Sequence, residues 1–160
     1  MPLTYKYDKI LVVRTYSKSR SMAGSRIGYA IGSSKLIKYL LDCKFSFNSY
    51  TMDSITIASG VASIKDEEYF ADKVAKVIAT RERVKPQLRE LGFDFADSKS
   101  NFIFATHKTV DANIIFEKLK ASNIFVRHFK NPSRIDNYLR ISIGTEGEMD
   151  ELIKVLKEIL

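Results

Sequence analysis

Leu139-Arg140-Ile141-Ser142-Ile143 alternates apolar and polar side chains with the period of a strand, placing Leu139, Ile141 and Ile143 on one face and Arg140 and Ser142 on the other. Working back from it, Phe93-Asp94-Phe95, Phe102-Ile103-Phe104 and Ile124-Phe125-Val126 read as further short strands, and Tyr138 opens the strand that holds the quoted stretch. A helix is expected from about Asp111 to Ser122. A final helix carries Met149, Leu152, Ile153, Leu156 and Ile159 on one face. The longest helical pattern follows Asp66, a good N-cap with Glu67 and Glu68 in the favourable first turn, and Gly92 stops it. Pro86 removes one hydrogen bond inside that helix. From Asp66 onward the order is therefore α-β-β-α-β-β-α, which predicts helices packed on a small, mostly antiparallel sheet.

The earlier part is less regular. Ile10-Leu11-Val12-Val13 reads as a buried strand and Arg26 to Gly32 as a second, bounded by glycines. Ser33 or Ser34 would cap a helix over Lys35 to Asp42, and Phe45 to Tyr50 reads as a turn-rich aromatic link. Thr51 or Ser54 would cap a helix over Ile55 to Ile64. Two strands are too few to close a sheet, so these strands call for neighbours outside this sequence.

The composition is that of a globular chain: 160 residues, 45% hydrophobic and 28% charged. There are 26 Lys and Arg against 19 Asp and Glu, a net charge of +7, which suits phosphate, nucleic acid or another acidic partner. A single cysteine, Cys43, excludes an intramolecular disulfide and a cysteine-built zinc site. His107 and His128 leave little for a metal and are expected at the surface or in loops, so no metal is expected. Met1 to Asp8 lacks the apolar core of a signal peptide, and no apolar run approaches a bilayer span. A cytoplasmic chain without membrane contact is expected.

The chemistry-bearing stretch is Thr15-Tyr16-Ser17-Lys18, with Arg26 eight residues after the lysine. A lysine following a buried strand, among small hydroxyl residues, can be held partly desolvated, which favours the neutral amine needed for a Schiff base. Arg26 offers a fixed fork suited to phosphate, with Gly24 and Gly28 allowing close backbone approach. Together they suit a cofactor with one aldehyde and one phosphate, pyridoxal phosphate. On spacing alone, the same residues suit a solvated basic connector, and Arg127 and Arg140 suit solvated sheet faces.

Arg14-Thr15-Tyr16-Ser17-Lys18, with Ala23-Gly24-Ser25-Arg26-Ile27-Gly28-Tyr29, resembles the cofactor-lysine motif of fold-type I aminotransferases of class I/II, most closely the histidinol-phosphate aminotransferase group. Phe47-Asn48-Ser49-Tyr50, Ser100-Asn101-Phe102, Ile124-Phe125-Val126-Arg127 and Leu139 to Thr145 resemble further segments of that family in the same order. The resemblance implies an α/β fold: the small C-terminal domain of a pyridoxal-phosphate-dependent transferase over residues 65–160, and a remnant of the large-domain sheet over residues 1–64. It implies Lys18 as the catalytic Schiff-base lysine that shuttles a proton, and Ser17, Thr15 and Arg26 as cofactor-binding residues. Arg127 and Arg140 would bind the anionic group of a phosphorylated amine and of a 2-oxo acid, with Asn101 beside them. A homodimer of the intact protein is implied, and no nucleic-acid partner.

Some features depart from that pattern. The family carries an N-terminal portion longer than this whole sequence, which supplies an aspartate for the cofactor ring nitrogen and further ligands. Without it, negligible aminotransferase activity is expected of this chain alone. Ser25 stands where leucine is usual, and Asn123 where glycine is usual; asparagine tolerates the left-handed conformation. A related enzyme of the threonine-phosphate decarboxylase kind is the nearest alternative reading. A basic nucleic-acid-binding module is another. It requires aromatics interleaved with Lys and Arg on one sheet face, whereas Phe102, Phe104 and Phe125 read as core.

Overall fold

The computed structural model describes residues 2–160. The chain divides into two units, Met1–Ala71 and Asp72–Leu160.

In the first unit, a short helix α1 (Pro2–Lys6) precedes strands β1 (Val12–Thr15) and β2 (Gly28–Ile31). The two strands pair antiparallel with each other, Val12 opposite Ile31 and Thr15 opposite Gly28. The first strand therefore starts two residues later than the apolar run suggested. It is also mostly exposed rather than buried, since a two-stranded ribbon has no second layer on its faces. Helix α2 (Ser34–Phe47) begins at Ser33, whose hydroxyl accepts from the Leu36 amide at 3.5 Å. It runs through Phe45 to Phe47, where a turn-rich link was expected; Leu, Lys and Phe side chains carry the helix on until Asn48 ends it in extended backbone. Helix α3 (Ser54–Lys65) is capped by Asp53, not by Thr51 or Ser54, because the Asp53 carboxylate accepts from both the amide and the hydroxyl of Thr56, at 2.8 and 3.0 Å.

Helix α4 (Glu67–Glu90) starts where Asp66 accepts from the Tyr69 amide at 3.2 Å, and it continues through Pro86. It stops before Gly92, whose φ of +88° is the left-handed turn that glycine makes without strain. Then come β3 (Phe93–Phe95), β4 (Phe102–His107), α5 (Ala112–Ala121), β5 (Arg127–His128), a turn of 3-10 helix at Ser133–Ile135, β6 (Leu139–Ser142) and α6 (Glu146–Ile159). The sheet order is β3-β4-β6-β5 and each pairing is antiparallel, as the alternation implied. β5 lies later than the expected Ile124–Val126. Asn123, at φ +60°, first reverses the chain after α5, and Ile124 then bonds back to the Leu119 carbonyl at 2.9 Å, which uses this segment as a helix stop.

The register explains the core. Phe93, Phe95, Ile103, Ala105, Leu139 and Ile141 fall on one sheet face, and all are buried. Val84 and Leu88 from α4, Ile115 and Leu119 from α5, and Met149, Leu152 and Leu156 from α6 cover that face. Burying one such side chain contributes roughly 1.5–3 kcal/mol. α6 is fixed at its start by a capping box: the Thr145 hydroxyl accepts from the Glu148 amide, and the Glu148 carboxylate accepts from the Thr145 amide at 2.7 Å. Those amide and hydroxyl donors of Thr145 lower the Glu148 carboxyl below its ordinary value.

His107 is not a loop residue. It ends β4 half-buried, its Nδ1 accepts from the amides of Thr109 and Val110 at 3.3 and 3.0 Å, and its Nε2 lies 2.8 Å from the Leu91 carbonyl. Two N–H groups on Nδ1 require the proton on Nε2. His128 lies on β5 with Nε2 2.6 Å from the Asp136 carbonyl. Both histidines tie backbone together. Cys43 is exposed on α2. Among the described residues no helix is long and apolar enough to cross a membrane, and no cluster of His, Cys, Asp or Glu is arranged to hold a metal.

Candidate functional site

The residues between β1 and β2 form a loop that is anchored at both ends. Tyr16 donates its amide to the Ile27 carbonyl at 3.1 Å, extending the strand ladder by one pair. Tyr16 and Ile27 are buried, and both line a depression with Thr56, Ile57, Gly60 and Val61 of α3. A side chain at position 60 would press on the Ile27 methyl, 3.1 Å from where a Cβ would stand. Across the ribbon, Gly28 lets the Arg14 carbonyl approach to 2.9 Å of a Cβ position, closer than another residue would allow.

Within the loop, the Ser21 amide donates to the Lys18 carbonyl and the Met22 amide to the Tyr16 carbonyl, both at 3.1 Å. Ser25 closes a second turn onto Met22 at 3.2 Å. Ser21 and Arg26 adopt φ of +54° and +56°, conformations that cost a side-chain-bearing residue about 1 kcal/mol or more. The sequence's two small turns are thereby compressed into the span between Tyr16 and Ile27.

Ser17, Lys18 and Arg26 thus share one loop, and Thr15 ends the strand that leads into it. Thr15 Oγ1 accepts from the Ser17 amide at 3.2 Å, which turns the chain toward Lys18. Arg26 gives one N–H to the Ala23 carbonyl at 3.0 Å and, among the described residues, keeps the rest of its fork unengaged. Lys18 is exposed, and its ammonium has no hydrogen-bond or ion-pair partner among the described residues. The expected desolvation of this lysine is therefore absent: the ribbon that precedes it is itself exposed, so no apolar layer encloses the amine.

The second candidate group lies on the open face of the four-stranded sheet. Arg127 stands directly opposite Arg140, which stands directly opposite Phe104. Phe102 faces Ser142 on the same side. Like charges directly opposite each other repel. Here aromatic rings lie close to both: the Arg127 guanidinium is 5.5 Å and that of Arg140 5.9 Å from the Phe129 ring centre, and Arg140 is also 5.6 Å from that of Phe102. Phe104 stacks on Tyr138 at 4.8 Å. Phe102 and Phe104 are therefore not core, because β4 buries its odd positions Ile103 and Ala105 and turns its even ones outward. Phe125, likewise read as core, is 74% exposed, since it precedes β5 instead of belonging to it.

Asn101 sits at the mouth of β4. Its carbonyl accepts from the Ile143 amide at 2.9 Å, while its side-chain oxygen meets only the Ser100 hydroxyl at 3.4 Å. The segment leading to it is held by α4. Arg81, buried, donates to the Ser100 carbonyl at 2.9 Å and to Glu82, and Lys85, 3% exposed, bonds Asp97 at 2.6 Å and Glu82 at 2.9 Å. The Lys85 ammonium, followed by that of Lys99, holds the Asp97 carboxyl down at about 2. Lys85 and then Arg81 lower Glu82, and Asp97 and then Glu82 raise Lys85.

Two contributors escaped the sequence reading. Phe129 had a signal, since Arg127-His128-Phe129 places it on the arginine face by strand alternation. Arg20 had none, because its contacts are 43 and 47 residues away.

The profile of the family "Aminotransferase class I and II" matches residues 2–156. The histidinol-phosphate aminotransferase of Brachyspira hyodysenteriae is 52% identical over 158 residues, covering 99% of this chain and 44% of that protein. Among solved structures, histidinol-phosphate aminotransferase from Clostridium acetobutylicum superposes with a TM-score of 0.89 at 20% identity, covering 99% of this chain and 48% of the other. That from Sinorhizobium meliloti, in complex with pyridoxal-5'-phosphate, superposes at 0.79 with 25% identity, covering 96% and 42%. The chain spans about half the length of the proteins it matches.

Proposed function

Since this chain belongs to the aminotransferases of class I and II, we propose that it is the lysine- and arginine-bearing part of a histidinol-phosphate aminotransferase, which exchanges an amino group between histidinol phosphate and 2-oxoglutarate in histidine biosynthesis. The observation that carries the reading is a Lys18 ammonium with no partner among the described residues, on a doubly anchored loop that also presents Ser17 and the Arg26 fork. Those donors fit pyridoxal phosphate: an amine for its aldehyde, and a hydroxyl with a guanidinium for its phosphate. When bound, that cofactor supplies an electron sink for charge developing at the substrate α-carbon.

The chain's own residues do the following in this reading. Lys18 is the catalytic residue: its Nζ holds the cofactor covalently and, once released, takes up the proton that leaves the substrate α-carbon. Ser17 and Arg26 hold the cofactor phosphate, and Thr15 orients the Ser17 amide. In the second unit, Arg127 and Arg140 pair with the phosphate of the phosphorylated amine or the carboxylate of the 2-oxo acid, and Asn101 contributes its amide. Residues 1–64 stand as part of a large cofactor domain and residues 65–160 as the small domain. The intact protein is a cytoplasmic homodimer in this reading.

Lys18, Arg127 and Arg140 are all exposed in this chain, so water competes for every charge the reaction requires. Glutamate formation from histidinol phosphate and 2-oxoglutarate is expected to be undetectable with the purified chain and pyridoxal phosphate. Co-expression with a polypeptide covering the remaining length of a relative is expected to give turnover that Lys18→Ala abolishes. Turnover by the chain alone overturns the expectation that it is inactive without the remaining length, and activity that survives Lys18→Ala in the reconstituted protein overturns the reading.

A further inference from the structure

Two residues beyond Lys18, the side chain of Arg20 leaves the loop and enters the structure instead of solvent. Its side chain is only 14% exposed and its guanidinium is engaged on three sides. Nη1 donates to the Ser63 carbonyl near the end of α3, Nη2 pairs with Glu67 Oε1 at 3.0 Å, and the guanidinium plane lies 4.2 Å from the Phe70 ring centre. Ser63 belongs to the last turn of α3, and Glu67 and Phe70 to the first of α4. A planar fork can meet a carbonyl, a carboxylate and an aromatic face together, and lysine cannot. In a loop of polar residues, this long side chain spends both terminal nitrogens of its head group on distant partners.

The consequence for Lys18 is geometric. Tyr16 and Ile27 hold the loop's ends against α3, but between them the backbone is braced only by its own turns. The Lys18 carbonyl receives the Ser21 amide, so Arg20 lies inside the turn that carries the lysine. Fixing Arg20 fixes that turn. We propose that Arg20 is a positioning residue for Lys18, which clamps the lysine-bearing turn to the joint between α3 and α4; the inference rests on the reading of Lys18 as the cofactor lysine.

The test uses the full chain. Amide hydrogen exchange over residues 17–26 is compared in the parent, Arg20→Met, Arg20→Lys and Glu67→Gln. Exchange in this segment is expected to rise about tenfold in Arg20→Met, the effect of losing one strong charge-assisted hydrogen bond. It is expected to stay raised in Arg20→Lys, which keeps the charge and loses the fork, and to rise by a smaller factor of about three in Glu67→Gln. No change in Arg20→Met overturns the clamp, and so does an equal rise in α2, which would make Arg20 a general stabiliser of the unit. A second readout is borohydride trapping of pyridoxal phosphate, mapped by peptide mass. In the parent, Lys18 is expected to be labelled in preference to the exposed Lys38, and Arg20→Met is expected to erase the preference. A parent with no preference for Lys18 defeats the reading of that lysine. A preference that survives Arg20→Met defeats only the role given to Arg20.

Discussion

The two units use similar helices and similar strand lengths, yet they bury very different amounts. Among the described residues of the first unit only Thr4, Tyr16, Ile27 and Gly60 are buried, and α2 buries none of its fourteen residues. Along α2, Tyr39, Leu40, Leu41, Phe45 and Phe47 face solvent. The second unit instead closes a continuous core in which Leu88, Ile103, Ile115, Leu119, Leu139, Ile141 and Leu156 are essentially inaccessible. The difference is made by layers: a four-stranded sheet offers a whole face for three helices to cover, and a two-stranded ribbon does not. It also places the two groups of site residues on different footings. Lys18 depends on loop contacts, whereas Arg127 and Arg140 ride on strands whose other face is a packed core.

The comparison breaks most visibly in local opening. Amides at Ile103, Ile115 and Leu156 are expected to exchange at least about a thousandfold more slowly than those across α2. Similar protection in both units, measured by hydrogen exchange, would show that the first unit has a source of stability other than its buried surface. Leu88→Ala is expected to cost about 2–5 kcal/mol in a urea titration, whereas Leu40→Ala should change it by less than about 0.5 kcal/mol. Equal costs would erase the distinction.

Acid should sharpen it further. Asp97 titrates at about 2 in the folded protein, below its ordinary 3.8. A lowered carboxyl stabilises the fold above its unfolded value and loses that contribution as pH falls through the folded one. The second unit should therefore weaken between pH 4 and pH 2, a loss that Asp97→Asn makes shallower in melts monitored across that range. Lys85 is raised, so its share is present below its ordinary 10.5 and disappears only above that value. A pH-independent melt from 5 down to 2 would sink this account. Thr145→Ala should cost about 1 kcal/mol by removing the capping box of α6. The smallest effect is a gain: Arg140→Gln should stabilise the second unit by a few tenths of a kcal/mol, because it ends the direct opposition to Arg127. A loss of stability there would mean that the aromatic contacts of Arg140 outweigh the repulsion.

The sequence by itself determined the elements of the second unit other than β5, because each carries its period on its face: Leu139 to Ile143 alternates, Met149 to Ile159 repeats every three or four residues, and Gly92 and Asn123 mark the reversals. It also placed Ser17 and Lys18 on one polar stretch and put Arg140 on the polar face of its strand, whereas Arg26, read as the start of the second strand, falls in the loop because β2 begins only at Gly28. Tertiary structure decided the rest. Alternation assigned Phe102 and Phe104 a shared face, but only pairing with β6 set that face against Arg140 and Arg127, away from the helices. Apolar character made Val12 and Val13 look buried, but burial needs a covering layer, and that is a property of neighbours rather than of residues. Arg20 is the clearest case. Its neighbours in sequence mark it as one more charge in a polar loop, while its partners lie more than forty residues on, and only the folded chain brings them within reach.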